Sequence, residues 1–365
     1  GIDPTFQFDS YSLSAQAQYE IDLWGRRAAQ AEAARRDALA ARDDAESVAL
    51  TLAAQITETY FAYAAGYESL QLIDEQIEIN VQTAEVLQGR FRQGLSPIGP
   101  VLQQRQQLAA LRAARQQART QLELTRHQLA LLVGVPSREL EVPATPDLPD
   151  LPPEIAVGVP SDLLDDRPDV RAARRRVEAA DFRVSEAIAS RLPTFSLSAS
   201  VGFSSGEFTS LFENIVYSLI GGMTAPLFDG GAGKGRVNAA EAGTYAALAD
   251  YGQTMLTAIK EVEDALLQER QQREYIAALE EQLSAARDNL EATRARYRQG
   301  DSSTNFLDVL TPQQAIEDIQ RNLIAARREQ LSHRVQLCRS VGGSWTSEVV
   351  RERELLLESS EQSNE

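Results

Sequence analysis

Side chains able to do acid–base, metal or phosphate chemistry are few in this 365-residue chain, and they do not gather into a working set. His127 and His333 lie far apart and make no metal-ligand spacing with the single Cys338, so surface or packing roles fit them best. Gly230-Gly231-Ala232-Gly233-Lys234-Gly235 has the glycine content of a phosphate-cradling loop but lacks the first glycine and the Ser/Thr of that pattern. A strand turning into a helix with close backbone approach is the better reading. An enzyme built on a helical bundle would need a clustered acid–base or metal set, and the sequence offers none. The chain therefore reads as no enzyme, with no cofactor and no metal. The polar positions worth following are two glycine turns, Gly94-Leu95-Ser96 and Gly300-Asp301-Ser302-Ser303, and Asp308 just past the second. A turn exposes backbone and a leucine for docking, with a plain loop as the alternative. A carboxylate near a helix N-terminus can face a pore, or simply face solvent or cap the helix.

Composition narrows the partners. With 53 acidic and 36 basic residues and a net charge of −17, nucleic acid and anionic lipid are disfavoured, since both need dense positive charge. The charges are mixed along the chain, and a solvated surface accounts for most of them. The 43% hydrophobic content is enough for a core. Of the 14 prolines, 7 fall between Pro136 and Pro160, whereas residues 5–96 and 227–311 contain none. Because proline breaks helix interiors, those two runs permit helices far longer than the average of about 11–12 residues. That length argues against a compact globular enzyme. Cys338 alone can form no intrachain disulfide. No run of 18 apolar residues exists, which excludes a transmembrane helix but leaves a transmembrane β-strand open, because its lipid face uses only every second residue. The start, Gly1-Ile2-Asp3-Pro4, shows no signal peptide and reads as a truncated end.

The sequence repeats itself. Arg90-Phe91-Arg92-Gln93-Gly94 returns as Arg296-Tyr297-Arg298-Gln299-Gly300 at an offset of 206, Leu23-Trp24-Gly25 as Leu227-Phe228-Asp229 at 204, and Val133-Gly134 as Val341-Gly342 at 208. Three landmarks in one order indicate a duplicated unit of about 200 residues, too long for an ordinary solenoid repeat. The second copy carries a two-residue insertion after its glycine turn. The expected organisation is repeat 1 over 1–134, a Pro-rich linker and equatorial segment over 135–167, repeat 2 over 168–343 and a polar tail over 344–365.

Each repeat reads as strand, very long helix, glycine turn and second helix. Tyr11, Leu13, Ala15, Ala17, Tyr19, Ile21 and Leu23 alternate with Ser, Gln, Glu and Asp, as do Phe195, Leu197, Ala199, Val201 and Phe203 with serines and Gly202. A further strand is expected from about Ile215 to Leu227. After Trp24 the period changes and the sequence fills with Ala, Glu, Gln and Arg, so a helix from about Gly25 to Arg92 would be roughly 100 Å long. Near its far end Leu70, Ile73, Ile77, Ala84, Leu87 and Phe91 keep a heptad interrupted by Asn80. Repeat 2 offers Ile276, Leu279, Leu283, Ala286, Leu290 and Tyr297, with Thr293 in the series. Such spacing implies left-handed helix packing as in a coiled coil. Return helices are expected from near Val101 and Asn305, the first with a seam at Leu108, Leu111, Ala118, Leu122, Leu129 and Leu132. Each turn is then the tip of an antiparallel hairpin. Pro168 suits the first turn of another helix running through Ile188.

Strands of this kind are commonly half-buried in a soluble sheet. Feeding each into a helix of about 100 Å changes the weighing, because no soluble sheet needs such an appendage. Few strands per chain cannot close a barrel, and an open sheet edge is forbidden in lipid, so membrane strands here require several copies sharing one barrel.

Asp22-Leu23-Trp24-Gly25-Arg26, Leu163-Leu164-Asp165-Asp166-Arg167-Pro168-Asp169-Val170-Arg171, Leu192-Pro193 and Pro226-Leu227-Phe228-Asp229-Gly230-Gly231 resemble the outer membrane factor family. These are the TolC-like channels of bacterial tripartite efflux pumps, and the likeness runs from about residue 11 to 343. Arg167-Pro168-Asp169-Val170 resembles the lipoprotein branch of multidrug efflux more than the branch serving type I protein secretion. The resemblance implies a mainly α fold with membrane β-strands, in which the duplicated unit forms a trimeric 12-stranded β-barrel continued by an α-helical barrel. It implies a passive conduit for drugs or other small molecules in the bacterial outer membrane, with a periplasmic tunnel. The implied partners are the homotrimer itself, a periplasmic adaptor (membrane fusion) protein, an inner-membrane RND-type transporter and outer-membrane lipid, with no nucleic acid. The family has two strands before the first long helix and this sequence has room for one, so the N-terminal helix, first strand and any acylated cysteine are expected to be missing. A soluble coiled-coil scaffold is the alternative from the residues alone.

The same resemblance assigns roles to sites. Gly94, Leu95 and Ser96, and Gly300, Asp301 and Ser302, correspond to the tips that meet the adaptor, and the insertion means that the two should not dock alike. Asp308 matches a gating aspartate, three copies of which would ring the pore. A second gating aspartate is replaced by Thr311, followed by Pro312. Tyr297 matches a tyrosine that latches the closed state, although its usual acidic partner position is Pro100 and the arginine expected in the second tip reads as serine.

Overall fold

The computed structural model describes residues 10–143, 145–151, 167–299 and 305–342. In order they form β1 (Tyr11–Ile21), α1 (Arg26–Arg92), α2 (Ile98–Val133), α3 (Pro168–Ala189), β2 (Thr194–Ser205), β3 (Ile215–Thr224), α4 (Ala232–Arg298) and α5 (Phe306–Ser340), with a short 3-10 turn at Phe208–Ser210. The duplication is metrical: α1 and α4 are each 67 residues, and α2 and α5 are 36 and 35. No described helix is long and apolar enough to cross a membrane. By contacts the chain divides into one unit of Gly1–Asp44 with Asp169–Met255 and another of Ala45–Pro168 with Leu256–Glu365, so each takes a part of both repeats. The 344–365 tail and most of the 152–167 segment, including Leu163-Leu164-Asp165-Asp166, lie outside the described residues.

The first unit holds an antiparallel sheet in the order β1-β2-β3. Its register puts Leu13 opposite Phe203, Ala15 opposite Val201 and Tyr19 opposite Leu197, and then Val201 opposite Tyr217 and Ala199 opposite Leu219. One face is therefore apolar across all three strands. The other carries Ser12, Ser14, Gln16 and Gln18 against Ser204, Gly202, Ser200 and Ser198. Strands of 11, 12 and 10 residues are long enough to cross a bilayer, for which a tilted strand needs about 9–11. β1 and β3 end at Ile21 and Thr224, before the expected Leu23 and Leu227, because the chain turns there into the helices.

Those turns explain two of the quoted signatures. In Asp22-Leu23-Trp24-Gly25-Arg26, Asp22 accepts from the Ala28 amide (2.9 Å), Gly25 takes φ +72°, and Arg26 returns to Glu20 on β1. In the second junction Asp229 accepts from the amides of Gly231 (2.9 Å) and Gly233 (2.6 Å), while Gly230 and Gly231 both hold positive φ. Those amide bonds hold the Asp229 carboxyl below its usual range. A Cβ on Gly233 would lie 2.7 Å from that carboxylate. The glycine run is thus a helix start. Within this unit α3 is bound to the first part of α1 by ion pairs: buried Asp43 lies between Arg171 and Arg175, Asp44 meets Arg176, Asp37 meets Arg183, and Arg36 meets Glu178. Nearer the start of α1, Glu32 is held down to about 2, chiefly by its bond from Arg35.

The second unit contains the hairpin seams. Leu279 and Leu283 of α4 pack with Ile319, Leu323 and Ala326 of α5, flanked by Ile276, Ala286 and Ile316. Ile73 and Leu87 of α1 are buried, as are Leu111, Leu122 and Leu129 of α2. Phe91 departs from the predicted stripe and is 40% exposed, because the seam closes at Leu87 before the chain turns. Helix α2 starts at Ile98, a turn ahead of Val101. Arg167, directly ahead of Pro168, donates to the Ser340 carbonyl (3.0 Å) and to Glu261 (2.7 Å). Gly342, with φ +76°, closes on it so tightly that a Cβ would sit 3.0 Å from the Arg167 backbone. The Arg167-Pro168 and Val341-Gly342 signatures are therefore two sides of one contact.

Candidate functional site

The tip of the first hairpin is built by a helix C-terminus. Arg90 and Arg92 occupy the last turn of α1, where cations oppose the helix dipole. Gly94 then takes φ +71°, with its amide on the Phe91 carbonyl (2.9 Å) and the Leu95 amide on the Arg90 carbonyl (2.9 Å). This is a Schellman close, which favours glycine at the left-handed position. It turns Leu95 outward, 65% exposed, with Phe91, Ile98 and Leu102 also exposed beside the tip. Ser96 follows, its hydroxyl toward the Pro97 carbonyl (3.4 Å). The second tip, Gly300, Asp301 and Ser302, lies outside the described residues.

Behind the first tip, all four long helices of the second unit meet. Leu87 of α1, Val101 of α2 and Phe306 and Leu310 of α5 form a buried cluster, and Tyr297 of α4 packs on it. The Tyr297 ring stands edge-on to Phe306 at 6.1 Å, with the Arg90 guanidinium over its face at 5.0 Å. Asp308 and Thr311 lie on the opposite, exposed face of α5. Asp308 closes a capping box with Asn305: its carboxylate accepts from the Asn305 amide (2.8 Å), and its own amide donates to the Asn305 side chain (3.2 Å). The Thr311 hydroxyl donates to the Leu307 carbonyl (3.1 Å). Both side chains are thus held in fixed positions at the start of the helix.

The sequence treated Asn80 as a break in an apolar stripe. It is instead fully buried at the centre of a polar cluster joining α1, α2 and α5. Asn80 donates to the buried Glu317 carboxylate (2.8 Å) and accepts from Gln104 (2.7 Å). Gln107 also donates to Glu317 (3.3 Å) and accepts from Gln314 (2.9 Å), while Arg321 reaches Gln76 (2.9 Å). The available signal was a single amide at a seam position, the pattern that fixes register in coiled coils at a cost in stability. Asn80→Ala leaves Glu317 and Gln104 each short of a partner, and should cost about 1–3 kcal/mol. A lowered thermal unfolding midpoint of the purified protein checks this, and an unchanged midpoint would contradict it.

The fold has clear relatives. A family profile described as "Outer membrane efflux protein" matches residues 6–135 and 159–343. Pyoverdine export outer membrane protein OpmQ of Pseudomonas putida is 30% identical over 343 residues, which cover 93% of this chain and 72% of OpmQ. Outer membrane protein OprJ of Pseudomonas aeruginosa is 29% identical, with 92% and 71% covered. Among solved structures, VceC of Vibrio cholerae superposes with a TM-score of 0.81 at 25% identity, covering 92% of this chain and 87% of that one. These relatives overturn the coiled-coil scaffold as an account of the sequence. The two-faced sheet, the paired 67-residue helices and these likenesses agree, and the chain belongs to the outer membrane efflux protein family, the outer-membrane channels of efflux pumps.

Proposed function

We propose that the chain acts as a homotrimer, a passive conduit that takes drugs or other small molecules from an inner-membrane RND-type transporter through a periplasmic adaptor to the exterior. The observation that carries this reading is the sheet: one face is apolar across three strands, the other is polar on β1 and β2, and β1 and β3 lead into the 67-residue helices α1 and α4. Such a wall suits lipid outside and water inside. Its outer edges would be costly in lipid unless neighbouring copies cover them. The export named for OpmQ favours small molecules over secreted proteins as cargo. The conduit itself performs no reaction in this reading, and energy comes from the transporter.

In the same proposal Gly94, Leu95 and Ser96, joined by the exposed Phe91, Ile98 and Leu102, form the adaptor-docking tip, with Gly300, Asp301 and Ser302 as its unlike counterpart. An apolar patch at the end of a charged hairpin suits a partner helix pair. Asp308 is the gate residue: three copies around an axis would make a carboxylate ring favouring cations. Thr311 lines the next turn. Tyr297 latches the closed state through its packing between Phe306 and Arg90, since Pro100 offers no side-chain acceptor. Asp308→Asn keeps a cap-forming side chain and removes the charge. Single-channel recording in planar bilayers should show lost cation preference and altered conductance. Unchanged conductance and selectivity would remove Asp308 from the constriction.

A further inference from the structure

Toward the tip end of the α4–α5 hairpin a positive charge sits without a counter-charge. Arg294, one turn ahead of the end of α4 at Arg298, is half-buried, and its one described hydrogen bond runs from Nη2 to the side-chain oxygen of Gln313 on α5 (3.1 Å). Burial lowers its guanidinium below the ordinary value, and the like charge of Arg298 lowers it further. The carboxylates of α5 on either side of Gln313 are engaged elsewhere: Asp308 with Asn305, Glu317 with Asn80 and Gln107, and Asp318 with Arg321. Among the described residues no carboxylate pairs with Arg294. Gln313 is itself only 6% exposed. Its oxygen faces the arginine, and its amide nitrogen, on the same carbon, is buried there with no partner among the described residues. The opposite setting of the amide would put N–H against a guanidinium, so this orientation is the one the arginine selects.

We propose that Arg294 and Gln313 form a binding site for a small oxyanion, the carboxylate or phosphate group of a dissolved molecule. Two kinds of donor meet there: the guanidinium, whose five N–H groups have one described acceptor, and the free amide N–H of Gln313. The side-chain oxygen of Gln313 already faces the guanidinium, which leaves a cation nothing to bind. Hydrogen bonds from a guanidinium to an oxyanion are about twice as strong as those between neutral groups, and a partly buried site weakens them less than water does. Water is the competing occupant. It would satisfy the Gln313 N–H but leave a desolvated guanidinium unbalanced, whereas an oxyanion answers both. An occupied site ties α4 to α5 just beyond Asp308 in the sequence, and it stands whether or not Asp308 lines the constriction.

The test is thermal unfolding of the protein purified in detergent, with chloride replaced stepwise by phosphate at constant ionic strength and, in a second series, by acetate. Phosphate, acetate or both should raise the midpoint of the parent, and the series that responds identifies the group the site takes. Arg294→Gln should abolish the rise. Because that arginine has no described carboxylate to lose, the variant should unfold in chloride within a few degrees of the parent. Gln313→Leu, which loses one bond to a charged acceptor, should need about 10-fold more anion or more for the same rise. Gln313→Glu brings its own carboxylate to the guanidinium and should respond to neither anion. A parent that responds to neither anion overturns the site, as does a rise of equal size in Arg294→Gln, the sign of a general salting effect. An undiminished response in Gln313→Glu overturns it as well.

Discussion

Gly94→Trp is expected to abolish export while leaving the assembled protein in the outer membrane. No atom lies within 4 Å of a Cβ at this position, so the indole meets no obstruction within the protomer. The cost is conformational, about 1–2 kcal/mol for a side chain in the left-handed region, and it falls on an exposed turn. What changes is the surface: a bulky ring stands where the turn presents backbone and Leu95 to the adaptor. Leu95→Asp separates the two effects, since it introduces no positive-φ strain and replaces an apolar contact by a charge that docking would desolvate without a partner. Both variants should therefore raise intracellular ethidium to the level of cells without the channel, with the oligomer mass unchanged. Normal export by both would remove the docking assignment, and loss of the oligomer would show that the turn serves assembly instead.

The second large effect is in the α4–α5 hairpin. Arg334 and Glu269 are both buried and joined through two bonds, one of them 3.0 Å from Nε. The bond from Glu269 raises the Arg334 guanidinium above its ordinary value, so the arginine stays charged. Arg334→Met leaves the buried carboxylate with the longer contact from Arg273 (3.5 Å) and should cost about 3–5 kcal/mol. The double variant Arg334→Met/Glu269→Leu removes both charges and should recover most of that loss, because two desolvated ions rarely outperform packed apolar side chains. Thermal unfolding of the three proteins in one detergent reads the cycle. A double variant no more stable than Arg334→Met would mean that the pair contributes more than the cost of its own burial.

The sequence revealed those elements whose cause is periodic. Alternation located β1 and β2 to within a few residues, and proline-free, alanine-rich runs located α1 and α4. Their ends were less visible because Leu23 and Leu227 continue the apolar alternation, while Asp22, Asp229 and the positive-φ glycines turn the chain. Phe91 fits the heptad by type, yet the Gly94 turn leaves it outside the seam. Among site residues, the Gly94 turn was legible as a helix end, and the capping alternative for Asp308 is realised in its box with Asn305. The Asn80–Glu317 cluster was not legible, since its partners lie 237 positions apart and a seam amide looks the same whether it faces water or a carboxylate. The ion pairs of Asp43 were hidden for the same reason: composition counts charges without saying which ones meet.

Ethidium accumulation in cells that lack their own outer-membrane channel but retain an adaptor and inner-membrane transporter tests the central claim most directly. With this protein present in the outer membrane, accumulation should fall to the level of cells with their native channel. Protein correctly inserted there, with accumulation still as high as in cells lacking any channel, would contradict the assignment as an efflux conduit.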